Sequence, residues 1–337
     1  MKLRNLLYLL LIVPILFVNT GCSKDEDPVA PEVKINEAQV LAEYLEANGD
    51  FINTTSAPPV VGADVVRNLQ LSTPAKLHII DIRTAADFTA KGRIEGAVQV
   101  DLKNIITYMK GLTNWASYDR IVITCYSGQS ASYAASMLRL LGYNNVWFMK
   151  FGMTAWNKEV QDSWSSLINN SNFNGMVTTP FTKAAKGTFP VINTGKKTGK
   201  EILEARITEL LSTTNPFGDV TVNWATASVN LGNYYIVNYW ADADYNKGHL
   251  PNAIQYVPRS DLKISTNLLT LPTNKPILFY CYTGQTSATV GVFLKLLGYD
   301  VKSLTFGVNS INHTWMGANS ISNRFSTTDV YNYPYVK

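Results

Sequence analysis

Two stretches of this chain, 156 residues apart, are versions of one pattern, and together they limit what it can fold into. The first reads Ile121-Val122-Ile123-Thr124-Cys125-Tyr126-Ser127-Gly128-Gln129-Ser130-Ala131, and the second Pro276-Ile277-Leu278-Phe279-Tyr280-Cys281-Tyr282-Thr283-Gly284-Gln285-Thr286-Ser287. In each, a run of strand-forming residues leads into a cysteine and a short polar loop, as in a strand covered on both faces of a parallel sheet. Beyond the first loop Ala134, Met137, Leu138 and Leu141 recur at helix spacing before Gly142. Beyond the second, Val290, Phe293, Leu294 and Leu297 do so before Gly298. Leu140-Leu141-Gly142-Tyr143 matches Leu296-Leu297-Gly298-Tyr299 letter for letter. Solenoid repeats have periods of roughly 20–50 residues, so an offset this large marks a duplicated domain. Each cysteine falls where a strand ends and a helix begins. There unpaired backbone N–H groups and the positive end of the helix dipole converge, a corner that binds anions and is expected to favour thiolate over thiol.

A chain of 337 residues has room for about two domains. The net charge is +4, of which Lys2 and Arg4 belong to a leader. No basic patch is interleaved with aromatics, so no nucleic-acid partner is expected. Met1 to Gly21 pairs that basic start with an apolar stretch, Leu6 to Val18, interrupted by Pro14. It is short of the roughly 20 residues of a membrane span and reads as a secretory signal. Val18-Asn19-Thr20-Gly21-Cys22 resembles a bacterial lipoprotein cleavage site, with Asn19 where a leucine is usual, so Cys22 is expected to carry lipid. The expectation is an exported protein, lipid-anchored to the outer membrane of a Gram-negative bacterium, periplasmic or surface-exposed. The acidic run Ser23-Lys24-Asp25-Glu26-Asp27 then lies in a tether over residues 22–35.

The remaining boundaries are a first domain over 36–162, a Ser/Asn/Thr/Gly-rich linker over 163–199, a second domain over 200–319 and a tail over 320–337. A helix from about Asn36 to Ala47 opens the first domain and one from about Lys200 to Leu211 the second. Leu77–Asp81, Val98–Val100 and Asn145–Met149 read as strands, with helices over Ala85–Lys91 and Thr154–Val160. Strands alternating with helices define an α/β fold with a mainly parallel sheet. Thr194-Gly195-Lys196-Lys197-Thr198-Gly199-Lys200 lacks the spacing of a phosphate loop and reads as solvated linker. The Tyr-rich segment 331–335 reads as a surface strap at most.

Each half resembles a rhodanese domain. In the first, Ile79-Ile80-Asp81-Ile82-Arg83, Asp87-Phe88 and Gly92-Arg93-Ile94-Glu95-Gly96-Ala97 look like the family's opening signature. Cys125 to Ser130 looks like its six-residue active-site loop, and Phe151-Gly152 with Trp156 like its closing pattern, one glycine short. The second keeps Cys281 to Thr286 and Gly248-His249-Leu250-Pro251 but has Asn238-Tyr239-Trp240 where the family has Asp-x-Arg. The resemblance implies two domains, each a mainly parallel five-stranded sheet flanked by helices, with the first the fuller match.

It also implies a sulfurtransferase without metal or cofactor. The cysteine takes a sulfane sulfur from a small anionic donor such as thiosulfate or a polysulfide and passes it, as a persulfide, to a thiol or cyanide. The catalytic residues would be Cys125 and Cys281. The substrate cradles would be Tyr126, Ser127, Gly128, Gln129, Ser130 and Ala131, and Tyr282, Thr283, Gly284, Gln285 and Thr286. Arg83 is a candidate for orienting the donor; its competing role is a salt bridge to Asp81 or Asp87. A cysteine-loop phosphatase needs an arginine six residues beyond the cysteine, where Ala131 and Ser287 stand. A non-catalytic module that holds persulfide or recruits a partner is the other alternative, above all for the second domain. On these residues Cys125 is expected to carry most of the activity.

Overall fold

The computed structural model describes residues 35–337; the leader, Cys22 and nearly all of the tether lie outside the described residues. In chain order the first half contains α1 (Glu37–Ala47), β1 (Val60–Val61), α2 (Ala63–Ser72), β2 (Leu77–Asp81), α3 (Ala85–Ala90), β3 (Val98–Gln99), α4 (Ile105–Gly111), β4 (Arg120–Thr124), α5 (Gln129–Leu140), β5 (Val146–Met149) and α6 (Met153–Trp156). The second contains α7 (Gly199–Ser212), β6 (Thr221–Val222), α8 (Trp224–Val229), β7 (Tyr235–Asn238), α9 (Asp242–Tyr245), β8 (Ile254–Gln255), β9 (Ile277–Tyr280), α10 (Gln285–Leu296), β10 (Val301–Leu304) and α11 (Val308–Ala318).

Each half builds one five-stranded sheet, in the orders β1-β5-β4-β2-β3 and β6-β10-β9-β7-β8, and every pairing is parallel. These are the two flanked parallel sheets that the resemblance implies. The cysteine-bearing strands β4 and β9 lie in the middle, where both faces are covered, which is why they read as unbroken apolar runs.

Side chains alternate along these strands, and the alternation sorts the core. Ile121 and Ile123 face one way and Val122 the other, as Ile277 and Phe279 do against Leu278. One set from each sheet joins a single buried cluster with α1, α5, α7 and α10, so the two halves share a core. The other faces keep separate clusters, one around Val122, Met149 and Trp156, the other around Leu278, Trp240 and Leu304. Residues 35–337 accordingly form one compact unit.

The segments expected to be solvated are docked. At the start of α1, the Glu37 carboxylate accepts from the Thr194 N–H and hydroxyl, each at 2.6 Å, and from the Gly195 N–H at 2.9 Å. These bonds hold its carboxyl below the usual range against the opposing effect of burial, which is the largest single influence. Thr198 then caps α7 in a reciprocal box with Glu201. Residues 331–336 cross back onto the first half: Tyr331 and Tyr333 donate N–H groups to the Ala155 and Trp156 carbonyls, and Arg93 and Val336 exchange both backbone bonds. The Trp156 indole donates to the Pro334 carbonyl at 2.8 Å. Ending the chain at Val330 should therefore lower the unfolding midpoint by about 2–4 °C per kcal/mol lost. Amide exchange should quicken at Arg93 and across 153–157 while β9 stays protected; unchanged exchange there would show that the strap contributes nothing.

Candidate active site

β4 ends at Thr124 and α5 begins at Gln129, so the chain must curl around Cys125 within a few residues. Gly128, the N-cap of α5, makes the curl in the left-handed region at φ 85°, and Gly284 repeats it at 75°. The curl aims N–H groups inward. The Cys125 sulfur accepts from Gly128 at 3.1 Å and Ala131 at 3.4 Å. The Cys281 sulfur accepts from the Ser287 N–H at 3.3 Å and lies 3.6 Å from the Ser287 hydroxyl.

A second turn seals each loop from below. The Met153 N–H donates to the Cys125 carbonyl at 2.8 Å, and the Val308 N–H to the Cys281 carbonyl at 3.1 Å. A side chain on Gly152 would meet the Cys125 carbonyl oxygen at 2.5 Å, and one on Gly307 the Cys281 carbonyl oxygen at 2.2 Å, so only glycine fits either place. The missing glycine of the closing pattern is also explained. Phe151 and Phe306 take left-handed backbone at φ 59° and 61° themselves and press their rings on Trp164. Packing offsets a strain of order 1–3 kcal/mol that a glycine would avoid.

The surroundings of Cys125 act on its thiol in opposite directions. The residue is 1 % exposed, and burial pushes its thiol above the ordinary value. The Ser130 hydroxyl and then the N–H groups of Ala131, Ser127 and Gly128 oppose that shift without reversing it. The donors were legible in the sequence; the depth at which the sulfur sits was not.

Arg83 makes the salt bridge to Asp81 that competes with a donor-orienting role, and its Nη1 has no hydrogen-bond partner among the described residues. Its guanidinium is buried, with Nε 3.0 Å from both oxygens of Asp81, Nη2 2.6 Å from one of them, and a further bond of 2.8 Å to the Gly92 carbonyl. Asp87 instead accepts from the Tyr126 hydroxyl at 2.7 Å, and Asp244 accepts from Tyr282 at 2.8 Å in the second half. Both residues of this pair recur in the repeat, a signal that could have identified it from sequence.

The second half solves the bracing problem without charge. Asn238 stands for Asp81 and donates to the Tyr280 hydroxyl at 2.9 Å, which accepts the Leu250 N–H at 3.1 Å. Trp240 stands for Arg83 and stacks on Tyr282 with ring centroids 5.0 Å apart. The Asn-Tyr-Trp departure thus replaces a buried ion pair with neutral groups, and it leaves Asn238 Oδ1 and the Trp240 indole N–H buried without partners among the described residues.

The two loops also brace each other. The Gln129 side chain accepts the Phe306 N–H at 2.8 Å, and the Gln285 side chain donates to the Ser127 carbonyl at 3.1 Å. Both glutamines thus reach the opposite half, and Gln129 also donates to the Ser127 hydroxyl of its own loop at 3.0 Å. The ground in front of the loops differs. The first faces a shallow depression of about 510 Å³ whose lining contains no charged residue. The second faces a cavity of about 390 Å³ with Lys150 and Arg259 at its wall. No motif marked either cation. Tyr282, Thr283, Gln285 and Thr286 line that cavity, whereas Cys281 is fully buried.

A parallel-sheet domain with a cysteine cradled between its central strand and the following helix, present twice, defines the class of protein. Both halves match the family model described as Rhodanese-like domain, over residues 63–159 and 221–314, and the chain belongs to that family. It is a sulfurtransferase-like enzyme. A thiosulfate sulfurtransferase, GlpE, of Shewanella oneidensis is 30 % identical over 91 residues, which are 27 % of this chain and 85 % of that protein. The protein of the same name from Pseudoalteromonas translucida is 33 % identical over 93 residues, 27 % of this chain and 84 % of that one. Among solved structures, a thiosulfate sulfurtransferase from Pseudomonas aeruginosa is 15 % identical over 90 % of this chain and 49 % of that one, with a TM-score of 0.30.

Because burial raises the Cys125 thiol and Ser130 counteracts it, alkylation of Cys125 should stay slow at neutral pH and accelerate only above the ordinary thiol range. Ser130→Ala should move that pH profile further to the alkaline side. A profile centred below neutrality, or one that Ser130→Ala leaves in place, would contradict this account.

Proposed function

We propose that this protein transfers sulfane sulfur through cysteine persulfides outside the cytoplasm, drawing on thiosulfate or a polysulfide-like donor and delivering to cyanide or a thiol. The observation that carries the reading is the pair of backbone N–H groups aimed at the Cys125 sulfur, at 3.1 and 3.4 Å, in a loop whose counterpart recurs around Cys281. Such donors stabilise a persulfide anion as well as a thiolate. The sulfur must react as the thiolate, and its burial at 1 % exposure shields it from oxidation between turnovers. The relatives named as thiosulfate sulfurtransferases support the same donor class. The alternative, a persulfide-holding module without turnover, concerns above all the second half, where Asn238, Tyr280 and Trp240 stand in for the missing ion pair.

Sulfur transfer from thiosulfate to cyanide should be measurable in the full chain, and peptide masses after donor treatment should show one added sulfur on a loop cysteine. The variant with both Cys125→Ser and Cys281→Ser should lose all transfer; activity surviving in it would end the persulfide reading. The lipoprotein-like leader supports an anchored, extracytoplasmic location through lipid on Cys22. Expressed in a Gram-negative host, the chain should incorporate labelled palmitate and fractionate with membranes, and Cys22→Ser should do neither. An unlabelled wild-type chain would remove the anchor from the proposal.

A further inference from the structure

The cradle around Cys125 has a donor that the cradle around Cys281 lacks. The Gly128 N–H lies 3.1 Å from the Cys125 sulfur, whereas among the described residues the Gly284 N–H makes no bond to the Cys281 sulfur. The glycines themselves do not account for this. Both hold left-handed backbone at nearly the same angles, φ 85° and ψ −11° against φ 75° and ψ −11°. The peptide that precedes each glycine does differ in its partners. The Ser127 carbonyl accepts two bonds from outside its own loop, from the Trp164 indole N–H at 3.1 Å and from the Gln285 side-chain amide at 3.1 Å. Among the described residues no donor reaches the Thr283 carbonyl.

The Ser127 carbonyl and the Gly128 N–H are opposite edges of one planar peptide, so fixing the oxygen fixes the direction of the N–H. The restraint matters at this bond, because glycine accepts either sign of φ and would let the unit turn over, carrying its N–H away from the sulfur. Two donors on the oxygen oppose that turn, and they polarise the peptide so that its N–H donates more strongly. Both donors have rigid surroundings. Trp164 is fully buried, in edge contact with Phe151 and Phe306 at 4.8 Å each and with Phe325 at 5.3 Å. The Asp162 carboxylate accepts the Trp164 and Ser165 N–H groups at 3.3 and 3.0 Å, which fixes the turn that presents the indole. Gln285, 2 % exposed, stands in the first turn of α10.

We infer that Trp164 and Gln285 are positioning residues for Cys125, holding the Ser127–Gly128 peptide so that its N–H stays on the sulfur. One clamp comes from the segment expected to be a linker and the other from the second half, so the first cradle is complete only in the assembled chain. The Cys281 loop, without such a clamp, is the comparison within the same molecule. The inference deepens the sulfurtransferase reading, since a persulfide anion on Cys125 would use the same N–H, yet the clamp is testable with no sulfur transferred.

The test is alkylation of the full chain by iodoacetamide across pH, read separately on the Cys125 and Cys281 peptides by mass. Trp164→Phe removes the indole N–H and keeps a ring among Phe151, Phe306 and Phe325. Trp164→benzothienylalanine puts sulfur in the place of that N–H at nearly unchanged shape, and decides the matter should the phenylalanine variant fail to fold. Gln285→Met removes the other donor. Each should slow Cys125 alkylation about threefold or more at a fixed pH below its midpoint and move that midpoint to the alkaline side, as weakening one charge-assisted bond does. The Trp164 variants should leave the Cys281 profile where it is. A residue that merely props the fold would act with the opposite sign, since loosening exposes both sulfurs and speeds both reactions. An unmoved Cys125 profile in the benzothienylalanine chain, equal shifts at both cysteines, or faster alkylation of both would overturn the inference while leaving sulfur transfer intact. Loading of sulfur from thiosulfate is scored apart on the same peptides. Its absence from both in the wild-type chain would bring down the sulfurtransferase reading, and the alkylation profiles would still decide for or against the clamp.

Discussion

The contact on which the molecule depends is the packing of α5 against α10. Each helix starts at a cysteine loop, so apposing the helices places the two loops back to back. The seam is polar where it is tightest: the Ser132 hydroxyl reaches the Gln285 carbonyl at 2.6 Å and the Thr289 hydroxyl at 2.7 Å, and Ser136 reaches the Thr289 carbonyl at 2.8 Å. Small hydroxylated residues let the backbones approach, and the Ser132, Ser136 and Thr289 hydroxyl and carbonyl groups pair across the joint, which fixes one register and opposes sliding. From that register follow the exchange of Gln129 and Gln285 between halves and the position of Lys150 before the second loop.

Duplication gave two equal corners, and divergence has made them unequal in ways that touch the chemistry. One half braces its strand end with Asp81 and Arg83, an ion pair whose desolvation is offset only by close geometry. The other has a hydrogen bond and stacked rings at the same place. The first corner opens on a neutral, shallow surface, the second on a walled space with two cations. Near-identical loops therefore confront different surroundings, and the difference comes from residues far away in sequence.

That explains how much could be read in advance. The central strands, their helices and the duplicated architecture were legible because burial on both faces writes a continuous apolar run and helix periodicity follows it. The two-residue strands β1 and β6, and helices such as α2 and α8, were not, since two residues carry no period and tertiary packing decides them. The helix expected over Thr154–Val160 shrank to one turn, Met153–Trp156, because Asn157 leaves helical geometry at φ −160° and its side chain bonds the Tyr333 carbonyl instead. At the site, the cysteines and glycines announced themselves through spacing. Lys150 and Arg259 did not, because a cation gains its meaning only when the fold brings it to a wall belonging to another segment.

The strap over 331–336 bears on how such a protein comes to be made. Asn157 finds its partner, the Tyr333 carbonyl, 176 residues later in the chain. A nascent first half emerging from the ribosome thus lacks the lid over Trp156 throughout synthesis of the second, and its apolar flank stays open to chaperones and proteases meanwhile. Two halves that began as equals have in this way become a closed circuit, in which the earlier one is finished only by the end of the later.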